Sequence, residues 1–421
     1  MMRNNDLKNI IKNSFYLYLV QGLNYLLPLI TLPYLLITLS SEDFGKYSFA
    51  FATSQFLILL VDFGFNLSAT KKIAENSESK IKVKEIYWNI TIIKFFLLFI
   101  SIILTLIGIF IFDKIYFYRE GIMMSMVMVL GTTLFPVWWF QGLNKMRQLS
   151  FINIISKLVT YPFLFLFVKK STDSHIAIFI QSLAILVAGI ISIIYIYNTH
   201  QFYFKNIRLK ERKVYIDEIK ESWLIFLSNS SISLYTNSLT LLLGFFSSSY
   251  NVGLFGAMER IIRVLCFGIL GPMNQACFPV IAKLKIIDFE KAKKIFKIVL
   301  LGTFLIMLIT FIFTKLFQNI IVDKFLKEYS SSSDLFNVFL LMIFPIALGG
   351  ILGQLGLLGL GHELQKKMFS RIYTIVGILS LPISILLIYY FNVEGAIYSM
   401  LVVETIIFVS MFYFTRKYKY I

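Results

Sequence analysis

About a dozen runs of roughly 20 mostly apolar residues follow one another along this chain, and each is long enough to cross the hydrocarbon core of a bilayer as a helix. The runs fall at 13–39, 44–69, 86–112, 122–141, 150–168, 174–197, 222–246, 250–281, 295–314, 335–358, 372–391 and 394–414. Stretches such as Ile102 to Phe112 lack the period of two that a transmembrane barrel strand requires, so helices alone satisfy the backbone in lipid. Hydrophobic residues make up 58% of the 421 positions and charged residues only 15%, too few ionic groups to cover a water-soluble surface. The expected fold is an all-α integral membrane protein of about twelve transmembrane helices.

The formal net charge of +17 raises the question of nucleic acid, and the placement of the cations answers it. Lys and Arg in the termini and alternate loops, counted from the N-terminus as inside, number 27, against 7 in the other loops. The positive-inside rule therefore predicts cytoplasmic N- and C-termini. The basic loops read as solvated, anionic-lipid-facing surface. No cationic stripe interleaved with aromatics projects into water, which excludes a nucleic-acid partner. Cys266 and Cys277 share the eighth run, and His175, His200 and His362 are scattered, so neither disulfides nor a metal site is expected. The first run, of about 27 residues, has no small-residue cleavage site after it and is expected to be a retained helix. No Walker lysine or G-x-G-x-x-G appears, so no nucleotide or other cofactor is expected, and the glycines between Gly349 and Gly361 read as close helix packing.

The longest polar break, 200–221, divides the chain into residues 1–199, a cytoplasmic linker and residues 222–421, with six spans on either side. Landmarks recur across it. Ser14 and Ser222, Gly45 and Gly253, and Ile73-Ala74 and Ile281-Ala282 repeat at an offset of 208 residues, and Phe135-Pro136 and Phe344-Pro345 at 209. An even number of spans per repeat implies parallel lobes, an arrangement suited to rocking around a central cavity. All eight prolines (Pro28, Pro33, Pro136, Pro162, Pro272, Pro279, Pro345 and Pro382) lie inside spans, where each favours a kink.

Polar groups at membrane depth mark where water or substrate runs, because each is costly in lipid. The cavity-lining candidates are Gln21 and Asn24 in the first span, Gln55 and Asn66 in the second, Asn229, Ser233 and Thr236 in the seventh, and Asn274 in the eighth. Lys94 and Lys157 join them, although each lies about two turns from a cytoplasmic end, where snorkelling accounts for it equally well. Asp62 and Glu404 are candidates for proton or sodium coupling, with a hydrogen-bonded structural carboxylate as the alternative. Arg260 and Arg263 stand one turn apart in an apolar span, a guanidinium pair suited to phosphate oxygens. Glu259 beside them offers the competing reading of a structural ion pair.

Gln21-Gly22-Leu23-Asn24-Tyr25-Leu26-Leu27-Pro28, Phe44-Gly45, Gly64-Phe65-Asn66-Leu67-Ser68-Ala69-Thr70 and Pro136-Val137-Trp138-Trp139-Phe140-Gln141-Gly142 resemble the bacterial O-antigen and polysaccharide-repeat flippases of the multidrug/oligosaccharidyl-lipid/polysaccharide exporter superfamily. The resemblance runs from Asn13 to about Phe414. It implies export of an undecaprenyl-diphosphate-linked oligosaccharide from the cytoplasmic to the periplasmic face of a bacterial inner membrane, by alternating access of two six-helix lobes, with the bilayer and other polysaccharide-assembly membrane proteins as partners. Murein lipid flippases of the superfamily have a further helix pair after the twelfth span; here none follows, and the polyprenyl tail is expected to stay in the bilayer. The runner-up is a multidrug or cation antiporter of the same superfamily, disfavoured because the deepest charges are mainly Arg and Lys. A membrane-embedded polysaccharide polymerase or ligase would need a large outward loop, and the longest here, Lys315 to Asp334, has only about 20 residues.

Overall fold

A computed structural model of the protein describes residues 27, 30–200, 210–326, 329 and 333–421, and every extended regular element among them is a helix. After α1 (30–38) come α2 (Ser41–Asp62), α3 (Phe65–Glu75), α4 (Lys80–Ile111), the short α5 (Asp113–Phe117), α6 (Arg119–Leu134), α7 (Val137–Gly142), α8 (Met146–Phe167) and α9 (Ser174–His200). The second half has α10 (Arg212–Thr236), α11 (Ser238–Phe246), α12 (Ser249–Ile287), α13 (Phe289–Leu316), α14 (Gln318–Phe325), α15 (Ser333–Leu341), α16 (Ile343–Ile351), a wide π-helical stretch at Leu352–Leu360, and α17 (Glu363–Lys417). Side-chain caps start three of the long helices: Ser79 accepts from Lys82 N, Ser248 from Asn251 N and Asp288 from Lys291 N.

Among the described residues, eight helical segments are long and apolar enough to cross a membrane. One of them, α17, is two helices joined at Asn392, whose φ of 50° and ψ of −123° are not helical, which divides it where the expected spans 372–391 and 394–414 meet. The expected second span is instead a pair, α2 and α3, separated by Phe63 (φ 41°) and Gly64 (φ 81°). The fourth divides at Phe135-Pro136 into α6 and α7, because proline has no N–H to continue the ladder. Pro162 and Pro382, by contrast, sit inside continuous helices, and α12 runs unbroken for 39 residues, about 58 Å at 1.5 Å per residue.

Contacts divide the chain into two compact units, one holding Lys46–Ser230 and the other residues 30–45 together with Ser231–Ile421. In the first unit Trp138, Trp139, Phe140, Phe65 and Ile90 form a fully buried core. Helices α6 and α9 cross closely at a glycine: a Cβ on Gly131 would stand 2.5 Å from Leu186 N, so only a hydrogen fits there. Gly64 needs its left-handed φ, and Phe63 before it stacks on Phe226 at 4.4 Å. The beginning of α10 belongs to this unit, since Ser222 Oγ lies 2.7 Å from Ser68 Oγ and Lys72 Nζ reaches Glu218 and Glu221 at 2.8 and 2.9 Å.

In the second unit, α2 and α12 start at Ser41 and Ser249, the same 208-residue offset read in the sequence, and these two starts meet. A Cβ on Gly45 would stand 3.1 Å from Gly253 N and collide with the Ser249 carbonyl; one on Gly253 would stand 3.0 Å from Gly45 N and collide with the Ser41 carbonyl. The Ser41 carbonyl also accepts a hydrogen bond from Tyr329 Oη at 3.1 Å. Helix α13 leaves Ile298, Leu301, Ile309 and Phe313 exposed, an apolar surface that only lipid or another apolar partner covers without penalty.

Candidate functional site

The polar candidates gather in two clusters, one in each unit. In the first, α2 ends at Asp62 because the chain turns at Phe63 and Gly64, and this leaves the carboxylate at a helix terminus inside a span. Lys94, at the middle of α4, donates to Asp62 Oδ1 at 2.8 Å and to the Thr132 carbonyl at 2.9 Å. Asn66 Nδ2 donates to the other carboxylate oxygen, Oδ2, at 2.9 Å. The Lys94 side chain is 2% exposed and that of Asp62 21%, so the lysine points inward and does not snorkel. Three separately chosen candidates, Asp62, Asn66 and Lys94, thus form one network.

In the second unit, α12 carries Glu259, Arg260 and Arg263 on neighbouring turns. Arg263 Nε donates to Glu259 Oε1 at 2.8 Å, the ion pair read as the alternative in the sequence. That bond uses one of five guanidinium donors and orients the plane. Buried Glu404 on α17 and Tyr235 on α10 lie within electrostatic reach of Arg263. Tyr235 stacks on Tyr373 at 5.9 Å between ring centroids. Arg260 points elsewhere: its guanidinium carbon sits 5.4 Å from the centre of the Phe44 ring, a cation–π arrangement.

The remaining candidates are dispersed. Gln55 is half-buried with Nε2 directed at Met128 Sδ, Lys157 is half-buried and Asn229 is exposed. Ser233 accepts from Asn237 Nδ2 at 3.0 Å, and Thr236 donates to the Ile232 carbonyl of its own helix. Asn274 Oδ1 is buried with no hydrogen-bond partner among the described residues. Gln21, Asn24, Ser14 and Pro28 lie outside the described residues. Sequence reasoning missed Thr132, yet Pro136 four residues later is a signal for it, because proline frees the carbonyl at i−4. It also missed Tyr235 and Tyr373, which no spacing pattern distinguishes among 23 tyrosines. Among the described residues no three His, Cys, Asp or Glu side chains converge as metal ligands, and both cysteines are free thiols.

Residues 10–285 match the family described as "Polysaccharide biosynthesis protein". A relative from Escherichia coli (strain K12) is 34% identical over 418 residues, covering 99% of each chain, and bears the name "Putative O-antigen transporter". The chain belongs to the polysaccharide biosynthesis protein family. A Shigella dysenteriae relative of the same name is 32% identical over 402 residues, covering 95% of this chain and 98% of its own. Among solved structures, the chain is similar in fold to an inward-facing multidrug resistance MATE family transporter of the MOP superfamily (TM-score 0.62, 14% identity, 92% of this chain and 94% of that one). It is similar also to an outward-facing member (TM-score 0.55, 16% identity, 98% and 95%). The chain is therefore a multi-pass membrane protein with a transporter fold.

Proposed function

We propose that the protein exports a polysaccharide repeat unit, such as an O-antigen unit, linked to undecaprenyl diphosphate, from the cytoplasmic to the periplasmic face of a bacterial inner membrane by alternating access. The observation that carries this reading is the guanidinium pair on α12, two cations where lipid-embedded helices rarely hold any. Arg263, oriented by Glu259, presents its terminal donors to phosphate oxygens, and Arg260 supplies the second charge. The names of the relatives supply the cargo class. The sugars are met by dispersed polar side chains such as Ser233, Thr236 and Asn274, and Glu404 beside Arg263 is the carboxylate placed to take a coupling ion. An inside-negative potential favours outward movement of an anion by about 2.3 kcal/mol per charge per 100 mV, so a diphosphate of about two charges gains roughly 4.6 kcal/mol per 100 mV.

The test is complementation of a flippase-deficient strain supplied with the cognate glycan pathway, reading surface polysaccharide. Arg260→Ala/Arg263→Ala should reduce it at least tenfold while the protein still inserts, and Arg260→Lys/Arg263→Lys should rescue only partly, since an ammonium does not reproduce the bidentate fork. Glu259→Gln added to the double alanine variant removes the carboxylate left unpaired and controls for misfolding. Wild-type polysaccharide from the double alanine variant would remove both residues from the site.

A further inference from the structure

The export reading leaves the Asp62–Lys94 cluster without a task, although it is the most buried ion pair among the described residues of the first unit. Both oxygens that the Lys94 ammonium meets lie where a helix breaks. Pro136 has no N–H, so the Thr132 carbonyl four residues earlier lacks its helical donor, and Lys94 Nζ takes that place at 2.9 Å. Asp62 is the last residue of α2, just before the left-handed Phe63 and Gly64, and Lys94 Nζ meets its Oδ1 at 2.8 Å. Asn66 holds Oδ2 and so sets the carboxylate plane.

Take away the lysine, and a carboxylate oxygen and a freed carbonyl oxygen face a space of ammonium size, with one negative charge between them. Carboxylate and carbonyl oxygens are the ligands that hard cations choose. The distances of 2.8 and 2.9 Å are those of a monovalent ion of ammonium size and exceed the roughly 2.3–2.6 Å of a calcium–oxygen contact. We propose that the Lys94 ammonium is a tethered cation that permanently fills a monovalent-cation site formed by Asp62 Oδ1 and the Thr132 carbonyl, so that this unit carries its positive charge covalently and exchanges no free ion there. Asp62 is then a ligand to a built-in cation and not an ion-coupling carboxylate. The inference concerns ion occupancy and does not depend on what the protein transports.

The experiment uses the full-length protein in lipid nanodiscs, with thermal unfolding followed in ammonium, potassium, sodium or choline chloride at equal ionic strength. Wild type, Asp62→Asn, Lys94→Ala and Lys94→Ala/Asp62→Asn are compared. The readout is the salt-dependent shift of Lys94→Ala minus that of the double variant, which cancels ion effects arising elsewhere in the chain. Lys94→Ala should be less stable than wild type in choline and should regain a few degrees in ammonium or potassium, with the gain absent from the double variant and from wild type. A Lys94→Ala protein that can be purified only in ammonium or potassium would support the proposal equally. Two results overturn it. One is a Lys94→Ala chain that no small cation stabilises, or that aggregates in every salt, which leaves an ordinary structural ion pair. The other is a wild-type protein whose own salt-dependent shift disappears in Asp62→Asn, which would make Asp62 a site for a free ion.

Discussion

Charged side chains at membrane depth meet the bilayer's penalty by neutralising one another locally, as Lys94 does with Asp62 and Arg263 with Glu259. Removing one partner of such a pair is the damaging change, because the other stays behind as an uncompensated charge. At the aqueous edge the same chemistry is milder. Desolvation pushes the Asp173 carboxyl up, but the backbone N–H groups of Lys170 and Lys169, at 2.8 and 2.9 Å, together with the charges of Lys170 and His175, hold it below its ordinary value. A carboxyl with a depressed folded-state pKa adds stability that is fully present above its unfolded value and is lost as pH falls through the folded one. Asp173→Asn should therefore lower the unfolding temperature at pH 7, and the gap to wild type should narrow below about pH 4. Thermal unfolding in nanodiscs at both pH values checks this, and an unchanged gap would contradict it.

Among the elements, the joint in α17 rests on one residue. Asn392, at φ 50° and ψ −123°, occupies a region open to glycine and strained for any side chain, at a cost of order 1–3 kcal/mol. Asn392→Gly should raise the unfolding temperature and Asn392→Val should lower it; equal effects from both would mean that the backbone there carries no strain. This joint was legible in the sequence, because a lone asparagine between two apolar runs marks a break. The joint between α2 and α3 was not, because Gly64 announces a turn but nothing about Phe63 predicts a positive φ for a bulky aromatic; its stacking on Phe226, distant in sequence, holds it there. Likewise the cost of burying Arg263 was readable from its span, whereas its neighbourhood with Glu404 joins two helices that no local pattern connects.

For the whole molecule, the excess of inside cations remains the argument for orientation. A cysteine at Lys417 should stay protected from impermeant maleimide in intact cells and one at Ser248 should be labelled; the reverse would invert the topology. Periodicity and charge reach this far because lipid imposes them on every helix separately, whereas the pairing of helices into units is decided by contacts. The two compact units do not divide at the polar stretch 200–221. The start of α2 packs with the start of α12 through Gly45 and Gly253, while the start of α10 packs with α3 through Ser222 and Ser68. A chain made from its N-terminus onward therefore releases residues 30–45 long before the ribosome reaches Gly253. The start of α2 waits in the membrane with Gly45 uncovered, and the first unit stays unfinished until α10 emerges, so assembly order here follows the completion of partners and not the order of translation.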